Sequence, residues 1–176
     1  MCFQQLSRRT VVFVAFLLAP VVLAAQAHPQ PELEKLMPLL GTWIGEGGGD
    51  PGQGVGSSAF TMDLQNSVMV RKSHTSYPAA NNRPAFDHDD LMIIYRDGGA
   101  LRAFYVDNEG HAIRYEVSAA GDSIAFVSPA SETAPRFRLS YVFAGEDRVR
   151  IHFEIAPPGQ PDAFRMYVTG LARKQR

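Results

Sequence analysis

The residues with most chemistry to offer are Arg165 and Tyr167, two apart near the C-terminus of a 176-residue chain. Residues at i and i+2 of a strand project from one face. On an inward face this pair would grip a carboxylate, the guanidinium supplying a forked donor and the phenol a hydroxyl. On an outward face Arg165 would join Arg136, Arg138, Arg148 and Arg150 in solvent, and Phe164, Met166 and Val168 would turn inward. The pattern leaves both open. The five histidines suggest metal binding, but none of His28, His74, His88, His111 and His152 has a partner at the short spacing of a zinc motif. His88 sits among Asp87, Asp89 and Asp90, which could offer oxygens to a hard cation. They lack the loop pattern of a calcium hand and read as a solvated loop. His111 follows the turn Asp107-Asn108-Glu109-Gly110, which puts it beside Glu109 at a barrel mouth or at the start of a strand. His152 shares a strand face with Arg150 and Glu154: turned inward it contacts a substrate, turned outward it is surface. His74 shares its face with Val68, Val70 and Lys72, so its side is ambiguous. No Gly-x-Ser-x-Gly elbow, phosphate-binding loop or catalytic cysteine occurs, which favours a binding protein over a hydrolase.

The elements that must position these residues are strands. From Gly41 onward the hydrophobic period is two. Ten strands are expected, at about 41–47, 57–65, 67–76, 90–96, 100–106, 111–118, 122–128, 135–143, 147–156 and 163–173. Turn formers separate them, among them Asp97-Gly98-Gly99, Gly121-Asp122 and Gly145-Glu146-Asp147. Hairpin-length connections force neighbours to run antiparallel. The alternation is clearest where Phe137, Leu139, Tyr141 and Phe143 oppose Arg136, Arg138 and Ser140. Successive short hairpins with no long helix favour a closed up-and-down barrel over a sandwich. Before the strands, Pro31 to Leu40 reads as one short helix, stopped by Pro38 and Gly41 and suited to plug one end of the barrel. The expected fold is therefore all-β, an antiparallel barrel with an N-terminal plug helix.

The first residues read as a targeting segment. Arg8 and Arg9 precede an apolar run from Thr10 to Leu23, interrupted by Pro20, and Ala25-Gln26-Ala27 offers a small-x-small cleavage pattern. The expectation is a signal peptide over residues 1–27 and a mature domain over 28–176, periplasmic or extracellular, with no membrane anchor after cleavage. The single cysteine, Cys2, falls in that segment, so the domain is held without a disulfide. A formal net charge of −1, with no long block of Lys or Arg, gives no footprint for nucleic acid.

The opening of the first strand carries a resemblance. Leu39-Leu40-Gly41-Thr42-Trp43, followed by Gly45-Glu46-Gly47 after a short helix, resembles the start of the nitrobindin-like proteins and of the wider lipocalin-like (calycin) group. A final strand from Met166 to Ala172, closed by Arg173-Lys174, is similar as well, and secreted bacterial members are the nearest in kind. The resemblance implies a ten-stranded barrel. In nitrobindins it also implies ferric haem on a final-strand histidine, with nitric oxide or peroxynitrite chemistry. This final strand, Phe164 to Gly170, has no histidine, and Tyr167 or Met166 stands in that region. The fold therefore carries over and the haem does not.

The leading functional expectation is a barrel that binds a small hydrophobic or amphipathic molecule. Its site is expected among Trp43, Tyr95, Phe104, Tyr115, Phe126, Tyr141, His152, Arg165 and Tyr167, with Leu91, Ile93, Phe137, Ile151 and Phe153 also lining the interior. Trp43 has a second reading, packed under the floor against the plug. A haem protein needs an axial ligand from His74, His111, His152 or Tyr167. A third possibility is a filled structural barrel acting in an envelope complex.

Overall fold

A computed structural model of the chain describes residues 31–46, 54–79 and 84–176. The expected signal peptide lies outside the described residues. The N-terminal segment is shorter and more broken than one helix: α1 spans Pro31–Glu34 and a 3-10 turn spans Met37–Leu39. Pro38 is the reason, since it has no N–H to donate and disfavours helical geometry at Met37. The segment still works as a plug. Leu33, Leu36 and Leu39 are wholly buried, each worth up to about 1.5–3 kcal/mol of transfer free energy.

Ten strands follow: β1 (Gly41–Gly45), β2 (Val55–Asp63), β3 (Val68–Tyr77), β4 (Phe86–Asp97), β5 (Ala100–Asp107), β6 (Ala112–Ala120), β7 (Ser123–Val127), β8 (Arg136–Phe143), β9 (Arg148–Ala156) and β10 (Arg165–Lys174). Each pairs antiparallel with its neighbours in sequence, and β1 pairs with β10 to close the cylinder. This is an up-and-down barrel, which leaves no free sheet edge. β1, β3, β5, β7 and β9 all end on one side, the mouth. The hairpins after β2, β4, β6 and β8 and the plug form the other end, the floor. Gly98 and Gly99 both adopt positive φ, 56° and 88°, as a two-residue turn matched to right-twisted strands requires.

Among the boundaries that depart from the expected ones, two have a clear physical cause. β2 stops at Asp63, because Leu64, Gln65 and Asn66 all take positive φ to make the turn into β3. β4 begins four residues early. Asp87, His88 and Asp89, read as solvated loop, pair with Ser76, Thr75 and His74 of β3. Aspartate disfavours strands in isolation, and here tertiary partners override it. Asp87 accepts from Ser76 Oγ at 2.7 Å, and Asp89 Oδ1 lies 2.8 Å from His74 Nδ1.

Burial assigns the faces. Met92 and Ile94 are sealed on β4, Leu101 and Ala103 on β5, and Leu139 and Tyr141 on β8, so these point inward. Their alternates point outward. The core runs as one cluster from the plug leucines and Trp43 through Met69 and Ile94 to Phe126 and Tyr141.

Candidate functional site

The inner face carries a charged cluster halfway up an otherwise apolar cylinder. Arg71 of β3 follows Met69 on that face and is 5 % exposed. Its Nε and Nη2 both donate to Asp90 Oδ1 of β4, at 3.2 and 2.6 Å, and its Nη1 donates to the Tyr141 hydroxyl of β8 at 2.7 Å. Asp90 is equally buried. Burial disfavours the Arg71 charge, but Tyr141 and Asp90 more than restore it, and the guanidinium is held charged well above its ordinary pKa. The Tyr105 ring of β5 lies under the guanidinium, 5.8 Å from it.

A hydrogen-bonded chain leads from this cluster to the mouth. His88 Nε2 stands 3.2 Å from the Tyr105 hydroxyl and 3.8 Å from Asp90 Oδ2, while His88 Nδ1 bonds Glu109 Oε1 at 2.6 Å. The Tyr105 hydroxyl donates to Asp107 Oδ2 at 3.0 Å, and His111 Nδ1 lies 2.8 Å from the same oxygen. Burial pushes the Asp107 carboxyl up, but the bonds from His111 and Tyr105 win and hold it below the usual carboxylate range. Burial raises the phenols of Tyr105, Tyr115 and Tyr141 above theirs. At neutral pH these hydroxyls are neutral donors and acceptors. Two residues above Arg71 on β3, the Ser73 hydroxyl pairs with that of Ser58 on the adjacent β2 at 2.8 Å.

Around and above the cluster the lining is aromatic and partly open. Phe137 and Phe153 stack at 6.0 Å, and Tyr167 meets Phe153 edge-on at 6.1 Å. Tyr77 stacks on Phe86 at 4.7 Å at the mouth end of β3 and β4. Phe137, Ile151 and Phe153 pack on the core yet remain partly accessible.

Of the expected lining residues, Tyr115, Phe126, Tyr141, Phe137, Ile151 and Phe153 face inward. Trp43 packs at the floor, donating from Nε1 to Leu39 O at 2.7 Å, which is the second of its two readings. Several placements are corrected. Tyr95, Leu91 and Ile93 alternate with the sealed Met92 and Ile94 and so lie on the outer face. Phe104 alternates with Ala103 and carries Arg114 over its ring on the outside. His152 opposes Ser140 and Thr169 on the outer face, among alternates of the core-packed Ile151 and Phe153. Apolar residues on both faces of β4 and β5 hid the true side. Arg165 opposes Ile155 and the Tyr167 ring meets Phe153, both on the inner face of β9, and a register shift falls between Met166 and Val168. Arg165 pairs with Ile155 and is exposed, and Tyr167 is 53 % exposed beside Phe153, so both stand at the mouth rim.

Sequence reasoning missed Arg71 and Tyr105, and it left His88 and Asp90 in a solvated loop where the structure places them on the inner face of β4. Val68, Met69 and Val70 are apolar on both faces, so alternation gave Arg71 no side. Asp90 was hidden in an acidic run.

The haem implied by the resemblance does not fit the residues present. His74 is on the outer face, bonded to Asp89 and Ser76. His111 is tied to Asp107 in the turn, and His152 faces outward. The inward histidine, His88, has both ring nitrogens engaged. Tyr167 stands at the rim. Among the described residues no group of three or more His, Cys, Asp or Glu is arranged to hold a metal ion. The closed ten-stranded barrel is consistent with a calycin-like fold. No protein-family model matches the chain, and no curated protein matches it either.

Proposed function

We propose that this protein is a binding barrel for a small amphipathic molecule, working in an extracytoplasmic space. The observation that carries the reading is the contrast along the cylinder. One end is plugged by leucines, and at the other a half-open aromatic lining surrounds a buried, charged hydrogen-bonding cluster. Ligand sites combine a mostly apolar wall with a few fixed polar groups in this way. The location rests on the N-terminal Arg8-Arg9, apolar run and Ala25-Gln26-Ala27 pattern.

Native mass spectrometry of the protein purified from its producing cells tests the reading. The expected result is a mass excess that solvent extraction removes and identifies. A bare polypeptide mass, together with no enhancement of an environment-sensitive naphthylamine dye, would refute it and leave the filled structural barrel.

A further inference from the structure

The polar cluster holds donors that the protein itself does not use. A guanidinium has five N–H groups. Arg71 commits its Nε–H and one N–H on each terminal nitrogen. One N–H on Nη1 and one on Nη2 therefore have no protein partner. The Tyr115 hydroxyl is a second such group: its residue is 3 % exposed, its ring packs on Phe126, and among the described residues its hydroxyl has no hydrogen-bond partner. Among the described residues, the side-chain polar atoms both sealed and unpartnered are Glu32 Oε2 and His152 Nε2. Unused donors on buried side chains call for an oxygen acceptor.

Charge narrows the class of that acceptor. Arg71 is already neutralised by Asp90 at 2.6 Å. The other acidic groups nearby, Asp107 and Glu109, each sit against one histidine, His111 and His88. A ligand carboxylate beside Arg71 would be a further negative charge in a desolvated site whose guanidinium is already paired, and Arg165 stands at the rim, outside the cluster. A neutral carbonyl accepts the same hydrogen bonds without that cost. Orientation follows from packing. Below the cluster, Met69, Ile94, Phe126 and Leu36 are wholly buried, so the floor is filled and the hydrocarbon must lie toward the mouth.

We propose that the ligand enters head first and presents a neutral carbonyl (ketone, ester or aldehyde) to Arg71 and Tyr115, its chain lying along Phe137, Phe153 and Tyr167. The proposal rests on the binding reading above and sharpens it.

Calorimetric titration at neutral pH with a medium-chain methyl ketone, the methyl ester and the carboxylate of equal chain length tests it. The ketone and ester should bind at least about tenfold more tightly than the carboxylate. Tyr115→Phe should weaken the ketone by about two- to tenfold without lowering the melting temperature of the unliganded protein. Asp90→Asn leaves Arg71 without its counter-ion and should raise carboxylate affinity at least about tenfold. Equal or tighter binding of the carboxylate by the unaltered protein would overturn the neutral-head assignment and leave the binding reading standing. Unchanged ketone affinity in Tyr115→Phe would do the same. No binding by any of the three probes would overturn both. Should Asp90→Asn fail to fold, the ligand series and Tyr115→Phe decide.

Discussion

Replacing Asp90 with alanine removes the carboxylate that accepts two hydrogen bonds from Arg71, at 3.2 and 2.6 Å. Both side chains are 7 % exposed, so water cannot take over. Breaking a buried pair from one side strands a charge and costs about 3–5 kcal/mol, a large share of the ~5–15 kcal/mol that holds a domain of this size. Removing both charges is a different perturbation. Arg71→Met in the Asp90→Ala background takes away the stranded guanidinium, so the double variant should be more stable than Asp90→Ala alone by about 2 kcal/mol. Arg71→Met by itself should cost less than Asp90→Ala, since His88 Nε2 stands 3.8 Å from Asp90 and offers that carboxylate a second partner. Equilibrium urea unfolding reads all four proteins, followed by far-ultraviolet circular dichroism and by the fluorescence of the sole tryptophan, Trp43. Coincident transitions license the free energies, and an unchanged urea slope shows that compactness is unaltered. A double variant no more stable than Asp90→Ala would refute the reasoning, as would an Asp90→Ala cost under about 1 kcal/mol.

Three further outcomes follow from the same geometry. Trp43→Phe loses a buried bond to Leu39 O and part of the indole's packing, for about 2–3 kcal/mol by urea unfolding. Gly56→Ala should destabilise by about 1–3 kcal/mol, because the added Cβ would stand 2.5 Å from Thr75 Oγ1 and 2.9 Å from the His74 carbonyl oxygen, and backbone cannot step aside; a melting temperature equal to the parent's would contradict this. The bidentate hydrogen bond from Arg138 holds the Glu154 carboxyl below its ordinary range. A depressed carboxyl stabilises above its unfolded pKa and loses that contribution as pH falls through the folded value, so Glu154→Gln should flatten the fall of the urea midpoint on acidification, and an unaltered slope would count against the pairing.

Strand number, order and direction were legible because they rest on short-range signals. Alternation in β8 and β9 and glycine-bearing turns such as Asp97-Gly98-Gly99 need no knowledge of partners. Facing was legible where one face was polar, as in β8 and β9, where Phe137, Tyr141, Ile151 and Phe153 were placed inward as found. It failed where both faces were apolar. Met92, Ile93, Ile94 and Tyr95 offer no contrast, and the outward set was taken for the inward one. Arg165 and Tyr167 both reach the inner side at the rim, but the register shift between Met166 and Val168 was not legible, since no residue there announces it. The site itself was the least legible part. Asp90 meets Arg71 through the β3–β4 pairing, but Tyr141 reaches it only through barrel closure, across 70 residues, and sequence spacing carries no trace of such a contact.

The cluster also bears on why a filled structural barrel is the weaker reading. A buried ion pair seldom stabilises more than apolar side chains of the same volume would, and an unpartnered Tyr115 hydroxyl stabilises nothing. The described strands contain no cysteine, so the cylinder relies on packing and hydrogen bonds alone. A barrel with a purely structural task would gain from a leucine or phenylalanine at each of these positions, as its floor does with Leu36, Met69 and Phe126. Instead the polar groups sit where the lining turns from sealed to accessible. The donors of Arg71 are only partly used by the protein. Departures from the rule that favours an apolar core concentrate where function requires them, as the proposed binding reading expects of Arg71, Asp90 and Tyr141.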